Sequence, residues 1–239
     1  MDTLSYFEIS YVDLLGRFEN LLGNLVLRID GLELGGVFLG SILVFLDDEV
    51  VGNHVAANTT EPTLLCLCRV AFDAQTGRLG TEVDTLLSTT KTGKSVTWPR
   101  PSYDGRYIMY TQVDYGYFSV WHPEADLWLL DLQSGETRPL DEVNSERAES
   151  LHSWSIGSRW FLFTSRRDDG LYTRVYFSCL DGNGKATKPF LLPQRHPKQY
   201  YRRSFYSFNT PDFTSRRIQT DARSMGRQIE SDQRIETKI

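Results

Sequence analysis

Two stretches of this 239-residue chain concentrate side chains capable of binding chemistry. The first is DYGYFSVWHPEAD, Asp114–Asp126, which carries Tyr115, Tyr117, Trp121 and His122 and is broken by Gly116 and Pro123. Rings with a polar tip offer a large contact area for little lost side-chain freedom, so aromatic-rich loops often bind. The second is SRRDDGLYTR, Ser165–Arg174, with Arg166, Arg167, Asp168, Asp169 and Tyr172. Adjacent arginines clamp a carboxylate or a phosphate through charge-assisted hydrogen bonds. The same four charges also read as local ion pairs of a solvated turn at Asp169-Gly170, worth little energy. The aromatic stretch likewise has two readings, a binding surface or a loop packed onto its own sheet.

Covalent catalysis and cofactor binding need sets that are missing from this sequence. There is no G-x-S-x-G elbow, no H-E-x-x-H, no phosphate-binding G-x-x-x-x-G-K-[ST] and no G-x-G-x-x-G. In a sialidase-type S-x-D-x-G-x-x-W box, Asp and Gly are separated, whereas Asp104 and Gly105 are adjacent. His54, His122, His152 and His196 are scattered and form no local metal pair. Cys66 and Cys68, two apart in LLCLCRVAF, share one face of a strand, and Cys179 stands alone; all three read as small buried hydrophobes. The expectation is a chain with no catalytic, cofactor-binding or metal-ligating residues, acting without enzymatic turnover.

The elements that must position the two stretches follow from a repeat. PRPSYDGRYIMYT (Pro99–Thr111) and HSWSIGSRWFLFT (His152–Thr164) align Arg106 with Arg159, roughly 50 residues apart. Each leads into a hairpin of one form: an apolar strand, a turn closed by glycine, and a short return strand. ADLWLLDLQSGETRPL turns at Gly135 and VYFSCLDGNGKATKPFLL at Gly184; an earlier hairpin, from Leu64 to Leu87, turns at Gly77. Four short strands per repeat of this length describe a propeller blade. YIMY, WFLF and LWLLDL are apolar at successive positions, as strands covered on both faces must be. In YDGR, Gly105 accepts positive φ and Asp104 caps the turn, which makes Asp104 structural. The second copy reads IGSR, with Gly157 in that role one place earlier. LGGVFLGSILVFL (Leu34–Leu46) is too short to cross a bilayer and reads as buried strand or hairpin.

Charge divides the chain. The net charge is -5, but residues 1–194 hold 16 Lys and Arg against 26 Asp and Glu, and residues 195–239 hold 10 against 5. An acidic body of -10 excludes non-specific nucleic-acid binding, which needs clustered cations. The basic end reads as a solvated segment, with a polyanion-binding arm as the alternative. Three regions are expected: a divergent segment at 1–60, in strands or poorly specified; blades at 61–213; and a basic tail at 214–239. In the tail, Ile218, Ala222, Met225 and Ile229 suggest a thin amphipathic helix, or disorder. Met1–Ser10 lacks the basic start of a secretory signal.

SYDGRYIMYT followed by DLWLLDLQSGETRPL resembles the repeat of TolB-type β-propellers, S-P-D-G-[KR]-x-[IL]-x-[FY]-[ST] and then D-[IL]-[WY]-x-x-[DN]-L, with Tyr103 in place of the proline. GKSVTWPRPSYDGRYIMYT, DYGYFSVWHPEADLWLLDL and RPLDEVNSERAESLHSWSIGSRWFLFTSRRDDGLYTR are similar to TolB-like propeller proteins of Bacteroidetes over residues 65–213. The resemblance implies an all-β fold, a partial TolB-like propeller of four-stranded antiparallel blades from the C-terminal portion of a six-bladed, WD-repeat-like array. It implies a periplasmic or outer-surface location and a partner that is an envelope protein, a peptide or a glycan. No nucleic acid, transmembrane segment or cofactor is implied, and oligomerisation is expected if blades are missing. The alternative it leaves open is the accessory propeller of a larger peptidase or glycan-processing enzyme.

Overall fold

In a computed structural model the described residues are 34–38, 41–47, 64–73, 76, 78–214, 221, 223, 224, 226 and 227. Met1–Ser10, His54, Gly77 and the four apolar positions of the expected tail helix lie outside them.

The described strands form three four-stranded sheets, each an antiparallel meander in chain order. The first holds β1 (Leu34–Phe38), β2 (Ser41–Asp47), β3 (Leu65–Asp73) and β4 (Arg78–Leu87). The second holds β5 (Ser95–Pro101), β6 (Tyr107–Val113), β7 (Asp126–Asp131) and β8 (Thr137–Pro139). The third holds β9 (Glu149–Trp154), β10 (Trp160–Ser165), β11 (Arg174–Cys179) and β12 (Phe190–Leu191). The fold is therefore all-β, a partial propeller with three blades among the described residues. Within the 34–46 stretch, the described residues pair antiparallel as β1 and β2. β2 pairs with β3 from Ser41↔Ala71 to Asp47↔Leu65, so the first blade draws strands from both sides of the composition change at residue 60.

Each blade is held by its neighbours. All seven residues of β6 are buried. Ile108 and Tyr110 point into a core shared with the first blade, alongside Leu65, Leu67, Leu87 and Val96. Tyr107 and Met109 point the other way, into a core with Trp154, Phe161, Phe163 and Tyr176 of the third blade. A strand buried on both faces cannot alternate polar and apolar residues, which explains YIMY and WFLF. Cys66, Cys68 and Cys179 are buried and outside any disulfide, and burial pushes the Cys68 thiol above its usual range.

The repeat extends to backbone conformation. Asp104 Oδ1 accepts from Ser102 Oγ at 2.6 Å and from the Arg106 amide at 3.1 Å, and Gly105 has φ 78°. In the second copy the left-handed residue is Ser158, with φ 54°, not Gly157. The expectation for Gly157 is corrected: register counts from the arginine, and Ser158 precedes Arg159 as Gly105 precedes Arg106. Ser158 Oγ also accepts from the Asp104 amide at 2.8 Å, tying the two turns together. Upstream, the inner strands β5 and β9 bulge at equivalent places, with Trp98 at φ 52° and Leu151 at φ 49°.

A second tie between these blades lies at Gly184, with φ 75°. Arg138 of β8 donates to the Gly184 carbonyl at 3.0 Å and to the Asn183 carbonyl at 3.3 Å. A methyl group on Gly184 would overlap Arg138 Nη2 and lie 2.7 Å from Tyr107 Oη. Gly184→Ala is expected to cost about 2–4 kcal/mol, combining left-handed strain with a displaced inter-blade contact. Gly135→Ala, with φ 73° and open space around it, should cost about 1 kcal/mol. Urea unfolding of both variants checks the difference.

The described residues include two short α-helices, α1 (Thr89–Thr92), capped by Ser88, and α2 (Pro197–Arg202), started by its proline. α2 lies within 61–213, where blades alone were expected. After it the chain returns over the face of the third blade that points away from the second. Ser153, Leu162 and Phe177 share that face. Ser153 Oγ donates to the Pro211 carbonyl at 2.8 Å, Thr173 Oγ1 donates to the Phe208 carbonyl, and Phe213 meets the Phe177 ring at 6.3 Å. No helix of the described residues is long and apolar enough to cross a membrane.

Candidate binding face

The connection from β6 to β7 and that from β10 to β11 occupy the same position in successive blades, so they emerge on one side of the array. They carry the two stretches singled out above, and the structure brings one residue of each together. The Arg166 guanidinium lies over the Trp121 ring, 4.5 Å from its centroid. Trp121 is nonetheless 70% exposed. A short 3₁₀ turn, Ser119–Trp121, presents it, anchored by the buried contact of Ser119 Oγ with Ser150 Oγ. Beside the pair is a small cleft, about 40 Å³, whose walls include Pro123, Arg147 and Gly170. Gly170 has φ 73°, and a methyl group there would sit 3.5 Å from the Arg147 guanidinium carbon.

The other aromatic residues divide. Tyr117 packs on Trp98 at 6.0 Å and belongs to the rim of the core between the first two blades. Tyr115 is half exposed and meets the His122 ring edge-on at 4.8 Å, while His122 Nδ1 lies 2.7 Å from Glu124 Oε1. Phe118, 66% exposed, extends the apolar surface and was missed by the sequence reading. Its place in the same aromatic run was the available signal. Arg147 was also missed, and nothing local marks it.

The charged stretch is largely scaffold. Arg167 Nη2 donates to Glu149 Oε1 at 2.9 Å and to the Val143 carbonyl, and Nε donates to Ser165 Oγ at 3.0 Å. Glu149 is fully buried and also accepts from Ser145 and Ser165, so Arg167 neutralises a carboxylate of its own chain. Asp168 accepts from the Tyr176 hydroxyl at 2.8 Å. Asp169 Oδ1 accepts from the Leu171 and Tyr172 amides, both at 2.8 Å, shaping the turn. Tyr172 lies under the Arg174 guanidinium at 5.1 Å. The expected local pairing of Arg166 and Arg167 with Asp168 and Asp169 does not occur: Arg167 finds its partner on β9, and Arg166 finds a ring in the neighbouring blade. The arrangement can accept an acidic or aromatic group against Trp121, Arg166 and Arg147. No group of three His, Cys, Asp or Glu among the described residues is placed to hold a metal.

No family model and no curated protein matches this sequence. Among solved structures the chain is similar to the β-propeller domain of the Trilobed protease from Pyrococcus furiosus, with TM-score 0.39 and 15% identity, over 69% of this chain and 44% of that one. It is similar to the Dos1 propeller, with TM-score 0.36 and 18% identity, over 67% and 44%. It is also similar to the acylaminoacyl peptidase of Pyrococcus horikoshii, with TM-score 0.36 and 15% identity, over 69% and 26%. The chain spans less than half the length of each of these proteins.

Proposed function

We propose that this chain is a non-enzymatic propeller scaffold of the TolB-like type found in Bacteroidetes, which holds a protein or peptide partner in the bacterial cell envelope. The TolB-like assignment and the location rest on the resemblance of SYDGRYIMYT and DLWLLDLQSGETRPL to that repeat. The observation that carries the binding reading is the exposed Trp121–Arg166 pair, assembled from loops of two blades. A large exposed ring beside arginines, on a rigid frame, has the make-up of an interface anchor. The chemistry suits an acidic peptide segment: Arg147 and Arg166 take the carboxylates and Trp121 the apolar stem.

Trp121→Ala should weaken capture of the partner from envelope extract at least tenfold, within the range of a hot-spot residue. Because Trp121 is exposed, its near-UV-monitored stability should stay within about 0.5 kcal/mol of the parent. Capture that is equal for the parent, Trp121→Ala and Arg166→Ala would contradict this reading.

A further inference from the structure

A larger concavity than the Trp121 cleft lies at the end of the third blade. It is a cavity of about 400 Å³ lined by Gln194, Arg195, His196, Gln199, Tyr200, Arg203, Ser204 and Tyr206. This volume lies within the range of small-molecule sites. The lining includes three basic side chains and no acidic one. Among the described residues, Arg195, His196 and Arg203 have no carboxylate within ion-pair distance. In a chain whose first 194 residues carry a net -10, two arginines without a carboxylate partner around one hollow are a local inversion of sign.

The remaining lining groups recognise hydroxyls. Gln194 and Gln199 each offer an amide donor and acceptor. The Tyr200 and Tyr206 hydroxyls are hydrogen-bonded to each other at 2.5 Å. The Ser204 hydroxyl first, and then that of Tyr200, hold the Tyr206 phenol below its usual range, while the bond to Tyr206 raises Tyr200. Either hydroxyl can be the donor in this pair, and the proton of the other remains available to a ligand. The Tyr206 ring is 51% exposed and provides a flat apolar wall. The floor is fixed from beneath by Arg174, which grips the carbonyls of Ser204 and Tyr206.

We propose that this cavity binds an anionic saccharide, with Arg195 and Arg203 on its carboxylate or phosphate, Gln194 and Gln199 on ring hydroxyls, and Tyr206 against the ring. The combination of paired cations, side-chain amides and an exposed phenol ring is what separates a charged sugar from a bare anion or a neutral sugar. This site is remote in sequence from Trp121 and Arg166 and does not depend on their role.

The test is calorimetric titration of the full chain with four probes: glucuronate, glucose 6-phosphate, glucose and inorganic phosphate. One or both anionic sugars should bind, with glucose and inorganic phosphate each at least tenfold weaker; which sugar binds names the anion. Arg203→Gln and Arg195→Gln should each weaken that binding at least tenfold, with near-UV circular dichroism unchanged. Binding of glucose or phosphate equal to that of the charged sugars would overturn the proposal. So would the absence of binding by all four to protein with an intact aromatic spectrum, or binding undiminished in both variants.

Discussion

Replacing Arg174 with alanine should lower the unfolding free energy by about 3–5 kcal/mol, the scale for breaking a buried charge network. Arg174 opens β11 and is 2% exposed. Its guanidinium donates to the carbonyls of Tyr206 at 2.8 Å, Ser204 at 2.9 Å and Tyr201 at 3.4 Å. It also lies over the rings of Tyr172 and Tyr201, and Asp169 Oδ2 is 3.8 Å away. One side chain therefore ties α2 and the returning segment to the sheet. Truncation would take the guanidinium donor from the Ser204 and Tyr206 carbonyls, each a desolvation cost, while the Tyr201 carbonyl keeps the Ser204 amide at 3.4 Å. Arg174→Lys should recover less than half of the loss, because a compact ammonium cannot reach acceptors spread around a planar fork. Equilibrium unfolding in urea measures both. Trypsin should cut the alanine variant faster at Arg195, Lys198, Arg202 and Arg203, all in the released segment. Stability within 0.5 kcal/mol of the parent would contradict this account.

A second large effect is expected in acid. His152 is buried between the second and third blades, and its Nε2 donates to the Met109 carbonyl at 2.9 Å. Burial first, and the positive charge of Arg100 after it, bring its pKa down to about 3. A base depressed in the folded state contributes stability that is complete above its unfolded pKa, near 6.5, and lost as pH falls toward 3. The unfolding free energy should drop with a limiting slope of about 1.4 kcal/mol per pH unit across that window. Asp126 acts in the opposite sense. Burial, followed by the charge of Glu149, raises its carboxyl to about 6, so protonation relieves a cost as pH falls from 6 toward 4. His152→Asn should flatten the acid slope, and Asp126→Asn should steepen it. Urea midpoints from pH 7 to pH 4.5 distinguish these outcomes, and a slope unchanged in His152→Asn would contradict the assignment.

Much of the blade architecture was readable because it is written in local chemistry. Gly135 and Gly184 mark hairpin turns by their backbone freedom, Asp104 by its capping carboxylate, and β6 by the unbroken apolar run Tyr107–Tyr110. The site was legible in part. The sequence pointed to both loops, but their meeting at Trp121 and Arg166 depends on the stacking of one blade against the next, which no local pattern records. Arg167 misled for the same reason. Its neighbours in sequence are two aspartates, yet its partner is Glu149, buried and in another strand. Nothing in SRRDDGLYTR marks Arg174, because its acceptors are backbone carbonyls more than 25 residues away, and carbonyls have no sequence. Gly157 shows the limit of residue type alone: counted from the arginine, the left-handed place falls on Ser158.

The outer strands have a consequence for how this protein can meet others. β8 is three residues long and ends in Pro139, and β12 is two residues long, with Pro189 before it and Pro193 soon after. Short edges interrupted by proline offer a guest strand almost no amide row to zip onto, the usual protection against ribbon-like self-association. β4 differs. It runs for ten residues, with Glu82 along its middle and Asp84 already paired with Arg69 of β3. Among the described outer edges, backbone recruitment of a foreign chain is therefore confined to β4, and there it favours a visitor carrying lysine or arginine.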